Sequence, residues 1–408
     1  MKSYREMSRD ELIALKKELE SQYEEAKAKG LKLDMSRGKA ASAQLDMEMD
    51  FLDVINSGSD YKTQAGVDCR NYGLLDGIPE AKKLMGDLMG VPEDQVIVCG
   101  NASWCKLDKI KFLCPVPGYD RHFAITEQFG IEMVNIPMTP QGPDMDLVEK
   151  YVNNDPAVKG IWCVPKYSNP QGYTYSDETV RRFARLNPAA PDFRIFWDNA
   201  YAIHFLYEDQ DDTLLEILSE CEKAGKPDMV YEFCSTSKII FPGGGISAVA
   251  ASKENLEYFK KTMTIQTIGY DKINQLRHVR YFKDINGMKE HMKKHAAIVR
   301  PKFEAVLEVL EKELGGLELG TWTKPHGGYF ISFHTMEGCA KKVVGKCKEA
   351  GVVLTGAGAT YPYKKDPKDD NIRLAPTFPS SEELSTATDL FVLCVKLVSV
   401  EKLLADMA

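Results

Sequence analysis

Short apolar runs alternate with longer polar, helix-like stretches through the middle of the chain. Six of these runs are apolar on both faces, which is typical of strands in a sheet that helices cover on each side. They lie at 95–99, 109–114, 160–164, 194–197, 229–233 and 246–250. The alternation predicts an α/β unit with a mostly parallel sheet.

The two ends of the chain follow a helical pattern. Ser8 and Glu11 have the spacing of a capping box, and the leucines that follow predict a helix ending near Gly30. After about residue 273 charged helices dominate, and strands at 327–333 and 352–354 precede a last helix at 380–407. We therefore predict an N-terminal helix and loop (1–45) joining the small domain, a large domain (46–275) and a small α+β C-terminal domain (276–408).

Composition and charge narrow the classes of function. The 408 residues are 44% hydrophobic and 27% charged, as in ordinary globular proteins. The net charge is −8 without a basic cluster, which argues against nucleic acid as a partner. No apolar run approaches the roughly 18 residues of a membrane span, and residues 1–20 are too charged for a signal peptide. We expect a soluble cytoplasmic protein with ten reduced cysteines and no membrane partner.

One histidine pair has the spacing of a helical metal site. His291 and His295 are four residues apart, but they stand among Lys289, Lys293 and Lys294. This setting favours a solvated helix face over a metal site, so we predict no metal.

Three motifs directly follow apolar runs and carry candidate chemistry. Lys238 ends the segment 235–238 ahead of three glycines, which suits a partly desolvated amine, although such a motif taken alone is more often a surface lysine at a strand end. Asp198 follows the run 194–197, where it can face a ligand crevice or cap a helix. Asn169 lies in the segment 168–172, which also reads as a plain turn.

Together the three motifs are more specific than any one of them. Asn169, Asp198 and Lys238 occur in this order, 29 and 40 residues apart. This arrangement resembles the fold type I pyridoxal-phosphate (PLP) enzymes of the aspartate aminotransferase superfamily, from about Leu33 to the C-terminus. Further matching segments are 33–39, 71–73, 115–119 and 371–374. The set looks like the divergent bacterial type Ic subgroup, which is related to the aminotransferase-like part of MocR regulators.

The resemblance implies the PLP-dependent transferase fold type I. In that fold a mostly parallel seven-stranded sheet is sandwiched by helices in the PLP-binding domain, and a smaller α+β domain follows. The segment 1–45 would then carry a substrate loop. The resemblance also implies a homodimer with shared active sites.

The same resemblance assigns roles to single residues. Lys238 would hold PLP as an internal aldimine and shuttle a proton, and Asp198 would pair with the pyridine nitrogen. Tyr201 and Asn169 would bond the 3-oxygen of the ring, and Tyr201 completes the catalytic set. The remaining cofactor contacts would come from Tyr119, stacked on the ring or else a core aromatic, and from Ser235, Ser237, Asn101, Ala102, Ser103 and, in a partner subunit, Tyr72.

For the substrate, the resemblance implies one residue for the α-carboxylate and leaves several candidates for the distal carboxylate. Arg373 would grip the α-carboxylate beside Asn169, unless it forms a salt bridge with Asp369 or Asp370. A dicarboxylate needs a second cation. Candidates are Arg37 and Lys39 in the loop around Gly38, Lys272 from a partner subunit, and Arg121 or His122.

The sequence departs from the family pattern at two places. Common aminotransferases carry a phosphate-binding arginine where this chain has Ile246. Only about five residues separate Ser103 from the next strand, whereas a parallel crossover needs about 10–12. Either residues are missing between Ser103 and Trp104 in the sequence, which we favour, or the deletion is real and cofactor binding is impaired.

We therefore predict PLP-dependent transamination, most simply of L-aspartate with 2-oxoglutarate. The alternatives are an aminotransferase for another amino acid, such as alanine or an aromatic one, and a non-catalytic ligand sensor like that of a MocR regulator. Expected partners are amino acids, 2-oxo acids and a second copy of the chain.

Overall fold

The computed structural model describes residues 2–36, 38–99, 110–210 and 212–407. Four of the candidate site residues, Arg37, Asn101, Ala102 and Ser103, lie outside these ranges.

Amphipathic segments form the α-helices of the described residues. The capping box is confirmed, since Ser8 Oγ accepts from Glu11 N and Glu11 Oε2 accepts from Ser8 N. The helices are α1 (Arg9–Ala28), α2 (Ser42–Asp46), α3 (Asp50–Asp53), α4 (Pro79–Met89), α5 (Asp120–Gln128), α6 (Met145–Asn154), α7 (Asp177–Arg185), α8 (Ile217–Lys223), α9 (Lys253–Gln266), α10 (Lys272–Phe282), α11 (Ile285–Leu314), α12 (Ala340–Glu349) and α13 (Ser381–Asp406).

The predicted apolar runs form strands, with bounds that differ from the predicted ones by a few residues. The strands are β1 (Leu33–Asp34), β2 (Val96–Cys99), β3 (Lys111–Val116), β4 (Glu132–Thr139), β5 (Gly142–Pro143), β6 (Val158–Cys163), β7 (Arg194–Asp198), β8 (Val230–Ser235), β9 (Ser247–Ala250), β10 (Gly320–Trp322), β11 (Ile331–Thr335), β12 (Val352–Val353) and β13 (Asn371–Leu374).

The large sheet has the order β2-β9-β8-β7-β6-β3-β4-β5. Its centre, from β8 to β4, is parallel, while β9 and β5 pair antiparallel with their neighbours. The expectation of a mostly parallel sheet between helices is therefore confirmed. Within the described residues this sheet has eight strands rather than the expected seven, because the chain turns back after β4 and adds the two-residue β5 at the edge.

The described side chains bury their apolar surface mainly in two clusters. One surrounds the large sheet and includes Leu113, Ile161, Ile195 and Val230. The other packs α1, α11, α12 and α13 on the three-stranded sheet β10-β11-β13, with Phe333 and Phe391 at its centre. The parallel pair β1-β12 joins the N-terminal segment to this second unit. The bounds 1–45, 46–275 and 276–408 stay a prediction.

The expectation that His291 and His295 lie on a solvated face of α11 is wrong. Their exposed fractions are 5% and 3%, because both belong to the buried stripe of Met288, Met292 and Val299. Of the neighbouring lysines, Lys289 and Lys294 are exposed and Lys293 is half-buried. The spacing of i, i+3 and i+4 from Met288 is the signal that could have indicated burial.

A search of the helices within the described ranges finds none that is long and apolar enough to cross a membrane.

Candidate active site

Four predicted site residues lie at the carboxyl ends of four neighbouring strands of the large sheet. Tyr119 comes after β3, Asn169 after β6, Asp198 ends β7, and Lys238 follows β8. These strands are adjacent and parallel, so their carboxyl ends meet at one edge of the sheet. Ligands of open α/β sheets bind at this edge.

Asp198 forms a hydrogen bond with His122, which the sequence analysis had considered as a cation for the distal carboxylate of the substrate. His122 Nε2 donates to Asp198 Oδ2 over 2.8 Å. The imidazole stacks on Trp162 at 4.4 Å between ring centroids, and Tyr119 meets it edge-on at 4.9 Å. His122 therefore orients the carboxylate. Neither the helix-cap interpretation of Asp198 nor a role for His122 as the distal cation fits this contact, and the chain after β7 forms turns rather than a helix.

Lys238 is half-buried and its main chain is held by two buried side chains. The Tyr329 hydroxyl and His204 Nε2 both donate to the Lys238 carbonyl oxygen, each over 3.2 Å. Burial, followed by the nearby Lys238 charge, lowers the pKa of His204 to about 3, so its imidazole stays neutral. Lys238 Nζ lies 4.8 Å from the centre of the Tyr201 ring. The interpretation of Lys238 as a plain surface lysine therefore does not hold.

The site tyrosines share one electrostatic environment. Burial, and then the Asp198 charge, raises the pKa of Tyr201. Burial also raises the pKa of Tyr119, while the Lys238 charge opposes that rise. Each hydroxyl therefore carries its proton and can donate a hydrogen bond at neutral pH.

The loop between β8 and β9 forms a close backbone approach. Thr236 is fully buried, and its Oγ accepts from the Ile246 amide over 2.9 Å. A Cβ at Gly245 would lie 2.9 Å from Ser237 Oγ and 3.1 Å from Ser237 N. Only glycine therefore allows the main chain at position 245 to lie this close to Ser237, and both Ser235 and Ser237 are partly exposed. Ile246 is buried, as expected of an apolar residue in place of the family arginine.

Arg373 joins the small sheet to this edge. It lies on β13 opposite Ser332 of β11, and its Nη1 donates to Asn169 Oδ1 over 3.1 Å. Nη2 donates to Thr355 Oγ over 3.3 Å, and the guanidinium stacks on Phe330 at 4.7 Å. The side chain is 6% exposed, and no hydrogen bond from Nε is found among the described residues.

The ion pair of Arg373 is not the one that the sequence allowed as an alternative. Nη1 donates to Asp120 Oδ1 over 2.9 Å, across 253 residues of sequence, whereas Asp369 and Asp370 approach Lys341 and His334. Gly38 lies against the Phe330 ring that packs on Arg373, since a Cβ at Gly38 would lie 2.8 Å from this ring.

Tyr72 and Lys272 lie beside one surface segment. The Gly73 carbonyl and Lys272 Nζ both come within 4 Å of where a Cβ of Gly269 would be. Lys272 is 6% exposed, while Tyr72 is 79% exposed.

The chain matches a known protein family over most of its length. A family model described as "Aspartate amino-transferase" matches residues 7–104 and 100–407. The chain belongs to this family. The two matched stretches of the aminotransferase meet at 100–104, where the sequence shows the short crossover.

Individual relatives agree with the family match. The aspartate aminotransferase of Corynebacterium glutamicum is 44% identical over 94% of this chain and 93% of its own length. A crystal structure of an aspartate transaminase from Corynebacterium glutamicum superposes with a TM-score of 0.95 at 42% identity, covering 98% of this chain and 99% of that one. A multiple substrate aminotransferase from Thermococcus profundus, at 20% identity and a TM-score of 0.74 over 92% and 93% of the two chains, shares the fold.

The described residues of the aminotransferase fit PLP. In the loop between β8 and β9, the partly exposed hydroxyls of Ser235 and Ser237 and the open space beside Gly243 suit a phosphate. Asp198 keeps 23% of its side chain exposed, and His122 engages only one of its oxygens through the bond described above. A carboxylate held in this way suits a protonated ring nitrogen.

Sequence reasoning missed the residues that hold the predicted ones in place. His122 orients Asp198, Tyr329 and His204 hold the main chain of Lys238, and Phe330 supports Arg373. Only His122 carried a signal, since it follows Tyr119 by three residues and so lies one helical turn away.

Proposed function

We propose that the chain is a homodimeric, cytoplasmic, PLP-dependent aspartate aminotransferase that transfers the amino group of L-aspartate to 2-oxoglutarate. The observation that carries the proposal is the meeting of Lys238, the Asp198–His122 pair and the Arg373–Asn169 pair at one edge of the sheet. The aspartate aminotransferase named at 44% identity supports the choice of substrate.

Lys238 and Asp198 would perform the proton chemistry. PLP, when bound, supplies an electron sink for the negative charge that develops on the substrate Cα. The carbonyl of Lys238 is fixed from two sides, so its amine has a defined position from which to take the proton released at Cα. Asp198, oriented by His122, would hold the ring nitrogen in its protonated form.

Arg373 would bind the α-carboxylate of the substrate. Its planar guanidinium is held between Phe330 and the side chains of Asn169 and Thr355. A fixed guanidinium can form two parallel hydrogen bonds with a carboxylate, which lysine cannot. The substrate carboxylate has to replace or share the present contact with Asp120.

A second copy of the chain would complete the site. The exposed apolar side chains Ile265 and Ile268 are 88% and 66% exposed and precede Lys272 by a few residues. An apolar surface of this kind is typical of an interface. In a dimer it would carry Tyr72 and Lys272 towards the partner's site, where Lys272 can pair with the distal carboxylate.

Substrate kinetics test the proposal. The purified protein with PLP should show the near-visible absorption of a lysine-bound cofactor, respond spectrally to L-aspartate, and lose both properties in Lys238→Ala. Coupled assays of oxaloacetate formation should give a higher kcat/KM for L-aspartate than for L-alanine or L-phenylalanine. Equal or greater kcat/KM for alanine or phenylalanine would contradict the aspartate assignment, and a protein that takes up no PLP would contradict the proposal as a whole.

Hybrid dimers test the shared site. Lys238→Ala removes the amine of one site, and Lys272→Ala removes the cation that would enter the other. When the two inactive variants are unfolded and refolded together, activity should return, because one site of each mixed dimer is complete. No recovery in dimers shown to be mixed would place Lys272 in its own subunit's site.

A further inference from the structure

A histidine pair and a glutamate meet in the interior behind the loop of Lys238. Glu48 lies between α2 and α3, and His291 and His295 lie one turn apart on α11. Their exposed fractions are 1%, 5% and 3%. These three residues, called the Glu48 cluster below, take no part in the proposed transamination.

The spacing of the Glu48 cluster matches a metal centre. His295 Nε2 lies 2.9 Å from Glu48 Oε1 and 3.0 Å from His291 Nε2, and His291 Nε2 lies 3.8 Å from Glu48 Oε1. A point equidistant from the three atoms, the centre of the circle through them, is about 1.9 Å from each; zinc binds nitrogen and oxygen at about 2.0–2.2 Å. A small displacement out of that plane gives these distances to all three atoms.

Two protonated ring nitrogens lie side by side in the cluster. His291 Nε2 must carry a proton, since its neighbour at 2.9 Å is the Ile239 carbonyl oxygen. Gln44 Oε1 accepts from the Ala41 amide, so Gln44 Nε2 donates to His295 Nδ1 and the proton of His295 is on Nε2. Two protonated nitrogens therefore lie 3.0 Å apart, and each also has an oxygen at 2.9 Å, the Ile239 carbonyl for His291 and Glu48 Oε1 for His295.

The carboxylate is also poorly satisfied. Neither oxygen of Glu48 has a well-aligned hydrogen bond within the described part of the chain, although Oε1 lies close to His295. A buried carboxylate without a full set of partners is costly. A divalent cation would satisfy it and take the place of the two protons on the adjacent ring nitrogens.

We propose that Glu48, His291 and His295 bind a divalent transition-metal ion of the Zn²⁺ class. Two imidazoles and one carboxylate are a ligand set that zinc uses in proteins. The Ile239 carbonyl, next to His291 Nε2, can occupy the fourth position. The ion ties the N-terminal segment and α11 to the residue that follows Lys238, so its role is to hold the loop of Lys238 in place.

The contact between Gln44 and His295 Nδ1 depends on whether a metal is bound. A metal on His295 Nε2 leaves the proton on Nδ1, so Gln44 has to rotate its amide and present Oε1. A carboxylate at this position would accept that proton directly, as in the carboxylate–histidine–zinc arrangement. Gln44→Glu should therefore strengthen binding, an effect that a purely structural histidine pair would not produce.

Metal titration of the tag-free, PLP-loaded protein tests the site. After treatment with a chelator, one equivalent of Zn²⁺ or Co²⁺ per chain should bind and raise the melting temperature. Glu48→Gln and His295→Gln should weaken affinity by about 100-fold or more, and Gln44→Glu should tighten it by about tenfold. His326→Gln is the matched control, because His326 also lies beside a carboxylate, that of Asp212, but is half exposed.

The possible outcomes distinguish metal binding at the Glu48 cluster from binding at cysteines, at the surface or to the cofactor. X-ray absorption of the Zn²⁺-loaded protein should show nitrogen and oxygen ligands. Sulfur ligands would indicate cysteines, and equal affinity in Glu48→Gln, provided its circular dichroism is that of the folded protein, would indicate surface or cofactor binding. Either result, or binding of neither metal, would overturn the metal site and leave the proposed transamination untouched.

Discussion

The Asp120–Arg373 contact predicts how strongly the site binds carboxylates. Asp120 Oδ1 lies 2.9 Å from the Nη1 that we assign to the substrate α-carboxylate. Asp120→Asn keeps the shape and an oxygen that accepts from Arg373, but it removes the negative charge. A substrate carboxylate then no longer competes with a fixed one, so binding should become tighter.

The expected change in binding free energy follows from how far Asp120 and Arg373 are exposed to solvent. A hydrogen bond to a charged group contributes about 1.5–3 kcal/mol when buried, and an exposed ion pair about 0.2–1 kcal/mol. Arg373 is buried, but the Asp120 side chain is 43% exposed, so screening by solvent favours the lower range. We expect about 1 kcal/mol, which is roughly fivefold in the dissociation constant.

Inhibition by succinate is the appropriate assay, since succinate carries two carboxylates and no amino group. Asp120→Asn should lower its inhibition constant and the KM for L-aspartate by about fivefold without raising kcat. Asp177→Asn is the control, because Asp177 pairs with Arg181 on α7. An inhibition constant for succinate that is unchanged or higher in Asp120→Asn would show that Asp120 positions Arg373 instead of competing with the substrate.

Three further predictions concern the cofactor loop, the core and the short crossover. Gly245→Ala should weaken PLP binding by at least tenfold in a fluorescence titration, because its methyl group would displace Ser237, which we assign to the phosphate, whereas Gly243→Ala, which has open space, should bind normally. Burial raises the pKa of Glu232 to about 8, so the stability it contributes is complete below the unfolded pKa of about 4.3 and is lost as the pH rises to about 8. The melting temperature of the natural protein should therefore fall more steeply over this range than that of Glu232→Gln, and parallel curves would contradict the assignment. Intact mass spectrometry should give a value above 45.8 kDa if residues are missing between Ser103 and Trp104, and a value of 45.8 kDa would show that the deletion is real.

Much of the fold was predictable because it depends on local patterns. Runs apolar on both faces identify buried strands, and a polar residue directly after such a run is placed at the carboxyl edge of a parallel sheet. Asn169, Asp198 and Lys238 could be found in this way, since each is fixed by its own strand. The same reasoning missed β4 and β5, which show weaker alternation and turn back at the sheet edge.

Contacts between distant segments needed the tertiary structure. Arg373 meets Asn169 and Asp120 across 204 and 253 residues, and no periodicity in the sequence connects them. His291 and His295 illustrate the same limit. Nearby lysines suggested solvent, yet the packing of α11 against the segment of Glu48 buries both imidazoles. The sequence by itself determined which residues end the strands, whereas only the packing of helices and domains decided which side chains orient them, because those neighbours are brought together by burial and not by spacing along the chain.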